Sequence, residues 1–394
     1  IEHYKRCVTL QPDNAAAYNN LGNCLQTVGD VGAAITSFRN AVRLSPSTAD
    51  AHYNLAHGYL TQSQYAEARE AYATALKHNP ALDDARAKIA HIDALLCNWQ
   101  DTLRDVNAAR ALGLKGELVA AFAMLALDGD PANQRRRATA YAEEQFGAIR
   151  PLPDNTPAAG RPARLRIGYF SSDFYQHATM YLMVHLLELH DRDNFEVHAF
   201  SYGPTPRDAM HHRVRAAVEH FHDVHEVGDE QIALLARERG IDIAVDLKGY
   251  TQNGRAGLFA HRAAPVQISY LGYPGTLGLP AMDYIVADRR VLPEAQAAHY
   301  SESIIYLPHS YQVNDSGRDI SAQCPSRLEA GLPAQGLVFC CVHNSDKIGP
   351  GEFSIWMRLL DQVDGSVLWL LAGNPGMRDN LQWEADQRGI DPAR

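Results

Sequence analysis

Residues 15–48 read A-A-A-Y-N-N-L-G-N-C-L-Q-T-V-G-D-V-G-A-A-I-T-S-F-R-N-A-V-R-L-S-P-S-T, and residues 49–82 read A-D-A-H-Y-N-L-A-H-G-Y-L-T-Q-S-Q-Y-A-E-A-R-E-A-Y-A-T-A-L-K-H-N-P-A-L. The second stretch repeats the first: Leu21, Gly22, Ala34, Phe38, Ala41 and Pro46 return as Leu55, Ala56, Ala68, Tyr72, Ala75 and Pro80. Working outward, Pro12 joins Pro46 and Pro80 at intervals of 34 residues, Ile1 matches Ile35, Tyr4 matches Phe38 and Tyr72, Cys7 matches Ala41 and Ala75, and Leu10 matches Leu44. Small residues recur where two helices touch and aromatics where a gap needs filling. A fixed period of this length marks an array of stacked units rather than a globule. The proline closing each unit stops its second helix, because it cannot continue one.

The unit resembles the tetratricopeptide repeat, a helix–turn–helix. One such unit cannot bury its own apolar face, so the resemblance implies a superhelix with an extended concave surface suited to polypeptide partners. Ile1 falls in the second helix of a repeat, which predicts an earlier first helix. Two full repeats run from Ala15 to Thr48 and from Ala49 to Leu82. A third keeps Ala85, Ile89 and Ala90 and loses the pattern near Asn98-Trp99, which predicts a terminal capping unit.

The texture changes between Arg150 and Pro162, where four prolines sit among residues with almost nothing to bury; this reads as a linker. Beyond it, short apolar runs alternate with helix-like stretches. Leu165–Phe170, Phe195–Phe200, Ile241–Leu247 and Val266–Leu271 read as buried strands, and a second set follows with Leu337–Val342, a helix near Phe353–Val363 and the strand Val367–Leu371. The expected fold class is therefore an α-helical tetratricopeptide superhelix followed by an α/β region of two Rossmann-like lobes, the second incomplete. The expected domains are repeats over residues 1–116, a helical connector and linker over 117–163, a first lobe over 164–325 and the start of a second over 326–394.

Composition narrows the function classes. The chain has 394 residues, a net charge of −10 and 46% hydrophobic residues. Its longest apolar stretch, Leu118 to Leu127, falls short of the roughly 20 residues a membrane helix needs. Phosphate-backbone binding needs a basic surface, and Arg135-Arg136-Arg137, read as a solvated helix face, is the sole basic cluster. No membrane and no nucleic acid are expected as partners. Six scattered cysteines without C-x-x-C spacing point to reduced thiols and a cytoplasmic location.

Ligands of open parallel sheets bind beyond the carboxyl ends of the strands, and three loops there carry chemistry. Ser171-Ser172-Asp173-Phe174-Tyr175-Gln176-His177 places a carboxylate and an imidazole four residues apart at a strand-to-helix turn. Such a histidine acts as a base near neutral pH, with the carboxylate fixing its tautomer; an N-cap aspartate beside an incidental histidine has the same sequence. Gly272-Tyr273-Pro274-Gly275-Thr276-Leu277-Gly278 combines glycines, which allow close backbone approach to a ligand, with a rigidifying proline. Cys341-Val342-His343-Asn344-Ser345-Asp346-Lys347 sets a lysine just before a helix expected to start near Gly349-Pro350, a position suited to a diphosphate. The histidines at 211, 212, 220, 222 and 225 include an H-x-H pair of the kind that can ligate a metal. No cysteine or carboxylate in that stretch completes a shell, so no metal is expected.

The order of repeat array, linker, S-S-D-F-x-x-H, D-L-K-G-Y-T (Asp246–Thr251), P-V-Q-I-S-Y-L-G-Y-P-G-T (Pro265–Thr276), M-D-Y-I (Met282–Ile285), Y-L-P-H-S-Y-Q-V-N-D (Tyr306–Asp315) and a lysine followed by Ile-x-Pro resembles one family. It is similar to the protein O-N-acetylglucosaminyltransferases and their plant and bacterial relatives, including the SPINDLY-type O-fucosyltransferases. The resemblance spans the whole chain and implies a GT-B catalytic region. Asp315–Ser326 runs straight on where the animal enzymes carry a large domain, which implies a compact, bacterial type of member, and the family's downstream donor loop is expected beyond Arg394.

By that resemblance His177 is the active-site histidine, with Asp173 beside it and Thr179 following. Lys347 neutralises the donor diphosphate and Asn344 contacts the nucleotide. Leu271, Gly272, Tyr273, Pro274 and Thr276 form the wall near the sugar. The implied reaction is an inverting transfer of N-acetylglucosamine from UDP-GlcNAc to Ser/Thr hydroxyls of polypeptides guided by the repeats, with no cofactor. An O-fucosyltransferase, or a scaffold that binds UDP without transferring sugar, are the alternatives.

Overall fold

The computed structural model describes residues 1–100, 110–114, 118–125, 127–153, 163–204, 206–371 and 373–394. Its helices α1 (Glu2–Leu10), α2 (Ala15–Thr27), α3 (Val31–Leu44), α4 (Ala49–Thr61), α5 (Tyr65–His78) and α6 (Asp83–Leu95) follow the 34-residue period. Local chemistry sets their ends. Asn14 and Asp30 cap α2 and α3 by accepting the backbone N–H groups of Ala17 and Ala33, and Gly29 takes the left-handed conformation (φ 83°) that ends α2. Ala34, Phe38, Ala56, Ala68, Tyr72 and Ala75 are all fully buried. The small residues are needed: a Cβ on Gly22 would lie 2.4 Å from the Phe38 ring.

The chain divides into two units. The first joins the repeats (Ile1–Val119, with Ala126–Asp128) to Gln323–Arg394. In the latter segment the parallel strands β8 (Val338–Cys341) and β9 (Val367–Leu370) carry the helices Pro350–Gln362 and Pro375–Asp386. Where the repeat pattern fades at Asn98-Trp99, the chain enters a second core, and residues 101–109 of the expected capping unit lie outside the described residues. Cys97 and Trp99 are buried in one apolar cluster with Ile348, Phe353, Met357, Leu360 and Leu381, and the Trp99 and Phe353 rings lie 5.4 Å apart. The segment that follows α6 packs into the core of the second lobe.

The second unit comprises Ala120–Leu125 and Gly129–Ala322. It is built on a seven-stranded, all-parallel sheet in the order β3-β2-β1-β4-β5-β6-β7. The strands are β1 (Leu165–Ser171), β2 (Phe195–Ser201), β3 (His220–Asp223), β4 (Ile243–Asp246), β5 (Val266–Ser269), β6 (Tyr284–Asp288) and β7 (Ser303–Leu307). Three of these, β3, β6 and β7, add to the strands expected from the sequence. Alternate residues along β1 enter cores on opposite faces: Phe170 stacks on Phe200 at 4.4 Å, while Ile167 and Tyr169 pack with Met180, Met183 and Val184.

The helix Pro131–Phe146, expected as part of a connector, contributes Ala142 and Phe146 to the core of this unit. Within it Arg135 and Arg136 are exposed, as the sequence reading had them, whereas Arg137 is buried at 1% exposure, which corrects that reading for the third arginine. Of the expected linker, residues 154–162 lie outside the described residues, and Leu152 packs against the lobe, its N–H donating to the His261 carbonyl at 2.9 Å.

Candidate functional site

The chain lays down β1, β2 and β3 in one direction, then crosses back to place β4 on the other side of β1. The carboxyl ends of β1 and β4 thus flank the reversal of strand order, where open α/β sheets bind ligands. Asp173 follows β1 and Lys248 follows β4. Both are buried, at 2% and 5% exposure, and Lys248 Nζ donates to Asp173 Oδ2 at 2.6 Å. The Ser172 hydroxyl donates to the other carboxylate oxygen at 2.9 Å, and the Asp173 N–H donates to Ser171 Oγ. Asp246 holds the β4 turn by accepting the N–H groups of Lys248 and Gly249; burial pushes its carboxyl up to about 6.

His177 is the N-cap of the helix Ala178–Glu188. Its Nδ1 lies 3.3 Å from Asp173 Oδ2 and 3.2 Å from both the backbone nitrogen and the hydroxyl oxygen of Thr179. Burial holds its pKa below the usual 6.5; Asp173 opposes that shift and Lys248 adds to it. The cap that the sequence offered to Asp173 is thus His177, whose Nδ1 meets both the capping N–H and the carboxylate. When Nδ1 carries the proton and donates toward Asp173, Nε2 is a bare base. When Nδ1 accepts from Thr179, a neutral ring carries its proton on Nε2.

Asp173, His177 and Thr179 are thus brought together as the sequence predicted, and Lys248 joins them. It lies in the D-L-K-G-Y-T motif, but its partner became visible only when β4 was placed beside β1. The loop after β5 lies in the same unit. Leu271 has a positive φ of 67°, and a Cβ on Gly272 would meet the Leu247 carbonyl oxygen at 1.9 Å. The close approach this glycine permits is therefore to the chain after β4. Tyr273 and Thr276 are buried at 3% exposure each; Thr276 donates to Glu302 Oε2 at 2.6 Å, and the Pro274 carbonyl accepts from the Tyr300 hydroxyl at 2.9 Å.

Asn344 and Lys347 belong to the first unit, on the segment between β8 and the helix Pro350–Gln362. The helix starts at Pro350 as expected, with Gly349 as an N-cap that offers no side-chain bond. Ser345 and Ile348 point inward, and Asn344 and Lys347 are exposed. Ser345 Oγ donates to the Leu95 carbonyl at the end of α6 (2.6 Å), and Asn374 Nδ2 donates to the same carbonyl at 3.2 Å. Asn380 Nδ2 donates to the Leu96 carbonyl at 2.9 Å, and the Cys97 thiol, raised to about 12 by burial, points at the Ser345 carbonyl. The orphan carbonyls at the end of α6 are thereby satisfied by the lobe that carries Lys347.

Comparison with known proteins accords with this geometry. The model of glycosyl transferase family 41 matches residues 152–323 and 316–394, more than half of the chain. Tetratricopeptide repeat models match residues 3–36, 25–81 and 53–117. A probable UDP-N-acetylglucosamine–peptide N-acetylglucosaminyltransferase of Arabidopsis thaliana is 35% identical over 253 residues, which is 61% of this chain and 26% of that protein. The UDP-N-acetylglucosamine–peptide N-acetylglucosaminyltransferase of Caenorhabditis elegans is 32% identical over 59% of this chain and 30% of its own length. The chain thus spans between about a quarter and a third of these two relatives. Among solved structures, a lysine-to-methionine mutant of the Thermobaculum terrenum O-GlcNAc transferase superposes with a TM-score of 0.68 at 27% identity, covering 99% of this chain and 68% of that one.

Proposed function

Because the chain belongs to glycosyl transferase family 41, we propose that it transfers N-acetylglucosamine from UDP-GlcNAc to serine and threonine hydroxyls of polypeptides. The observation that carries this reading is the buried Lys248–Asp173 pair beside His177 at the carboxyl ends of β1 and β4. A fixed negative charge next to an imidazole whose pKa is depressed keeps a neutral, oriented base available near pH 7.

In this proposal the hydroxyl oxygen of the acceptor attacks the anomeric carbon and the bond from that carbon to the diphosphate oxygen breaks, with inversion. The hydroxyl proton passes to Nε2 of His177, whose Nδ1–H is directed at Asp173. Lys347, exposed and with no ion-pair partner among the described residues, holds the departing diphosphate by charge, as electrostatic stabilisation of a leaving group requires. Asn344 contacts the nucleotide, and Thr179 orients His177. Leu271, Gly272, Tyr273, Pro274 and Thr276 shape the wall for the sugar, and the repeats guide the polypeptide along their concave surface. The reading requires no cofactor. Six free cysteines and the absence, among the described residues, of any helix long and apolar enough to cross a membrane support a cytoplasmic location.

Intact-mass spectrometry of acceptor proteins incubated with the protein and one nucleotide sugar at a time tests this. An increment of one N-acetylhexosamine with UDP-GlcNAc is expected, and it should disappear in His177→Ala. An increment with a different donor would overturn the choice of sugar. No increment with any donor, alongside intact UDP binding, would replace transfer by the scaffold reading.

A further inference from the structure

We propose that Glu196, His198 and His220 form a binding site for one divalent transition-metal ion of the zinc class, apart from the transfer chemistry. The site is a product of sheet register. Residues two apart on a strand share a face, so Glu196 and His198 stand side by side on β2, and parallel pairing sets His198 directly opposite His220 on the edge strand β3. Glu196 Oε1 lies 2.9 Å from His198 Nε2 and 3.3 Å from His220 Nε2, and the three donor atoms all fall within 4.8 Å of one another. A tetrahedral ion with bonds of about 2.0–2.1 Å holds its ligand atoms roughly 3.3 Å apart. Glu196 Oε1 therefore already stands at about ligand spacing from each imidazole, and water can take the fourth corner.

The surroundings fit the same reading. His198 Nδ1 lies 3.1 Å from His222 Nε2, the kind of outer hydrogen bond that orients a ligating imidazole. Glu196 turns its other oxygen, Oε2, toward Arg166 Nε at 3.8 Å and Arg164 Nη1 at 4.0 Å. Those guanidiniums balance the carboxylate and also repel an incoming cation, so the affinity is moderate. His198 is buried at 2% exposure, while the His220 side chain is 49% exposed and leaves an entry path. Two imidazoles and a single carboxylate suit zinc, copper or nickel and do not supply the oxygen shell that calcium or magnesium requires. The carboxylate unseen in the histidine-rich stretch thus comes from the neighbouring strand. Glu196 and His220 lie at the amino-terminal ends of β2 and β3, whereas Asp173 and Lys248 follow the carboxyl ends of β1 and β4. An ion here clips the edge strand to the sheet.

The test uses the whole chain without a polyhistidine tag, stripped with a chelator and titrated calorimetrically with Zn(II), then with Co(II) under absorbance. Wild type should bind one zinc ion per chain, with four-coordinate Co(II) bands and no thiolate charge-transfer band, which separates this site from the cysteines. His220→Asn changes an exposed side chain and should keep the native circular dichroism while weakening binding at least tenfold; Glu196→Gln should do the same. Hydrogen exchange in β3 should slow on zinc addition in wild type and not in either variant. An absence of zinc binding, an affinity unchanged in both variants, or a thiolate signature would each overturn the proposal.

Discussion

Replacing Lys248 by methionine keeps most of the side chain's volume and removes its charge, leaving Asp173 buried at 2% exposure without its 2.6 Å partner. Removing one member of a buried ion pair costs about 3–5 kcal/mol, because the survivor remains desolvated. The low end, about 3 kcal/mol, is expected here, since His177 stands 3.3 Å from the same carboxylate oxygen and can take up a proton as a substitute countercharge. That loss corresponds to a roughly hundredfold larger opening equilibrium. Tryptophan fluorescence would not report it, because Trp99, Trp356, Trp369 and Trp383 all lie in the other unit. Hydrogen exchange of peptides covering β1 and β4 reads the right region. The His177 titration, followed by NMR of the imidazole, should move upward at the same time, since Lys248 helps to hold it low. Asp173→Asn combined with Lys248→Met should recover much of the loss. Exchange in β1 and β4 within threefold of wild type, together with an unmoved His177 titration, would refute the reasoning.

Because the His177 pKa is lowered in the folded protein, its neutral form prevails at pH 7, and the stability linked to it is present above the unfolded value near 6.5 and lost as pH falls through the folded value. The transfer rate should accordingly fall on an acid limb with its midpoint below 6.5, and Asp173→Asn should push that midpoint lower; a pH–rate profile with its limb above 6.5 would contradict the assignment. Asp246, raised to about 6, acts in the opposite sense, its contribution to stability being lost as pH rises through that value. Gly272→Ala sets a Cβ 1.9 Å from the Leu247 carbonyl oxygen and should cost about 1–3 kcal/mol or more, visible as a fall in Tm; an unchanged Tm would show that the loop yields. Ser345→Ala removes the hydrogen bond to the Leu95 carbonyl, worth about 1 kcal/mol, and should weaken UDP binding several-fold in a calorimetric titration; unchanged affinity would mean that the repeats do not steady the loop bearing Lys347.

The repeats were legible because every structural position recurs with its size class, so Phe38 and Tyr72, or Ala41 and Ala75, announce the same buried site twice. The strands β1, β2, β4 and β5 were legible as apolar runs. Strand β3 was hidden because an edge strand with the sequence His-Phe-His-Asp is half-exposed and polar; β6 and β7 are five-residue runs, β6 opening on the exposed Tyr284 and β7 holding no fully buried residue. In the candidate site, the proximity of Asp173 and His177 followed from four residues of chain. The Lys248 contact spans 75 residues, and the pairing of His198 with His220 depends on strand register; neither distance is encoded locally. The loss of the repeat pattern at Trp99 was visible, but its reason, a partner at Phe353, was not.

That partnership also has a cost in time. Cys97 and Ser345, which meet just beyond α6, are separated by 248 residues. At about 5–20 residues per second of ribosomal synthesis, roughly 12–50 s pass between their emergence. Through that interval the seven strands of the intervening unit are made, while Trp99 awaits the ring it will pack on. A nascent chain at this stage carries an unfinished apolar surface, the kind that chaperones bind, and the segment after α6 is sealed only when the ribosome has passed Phe353.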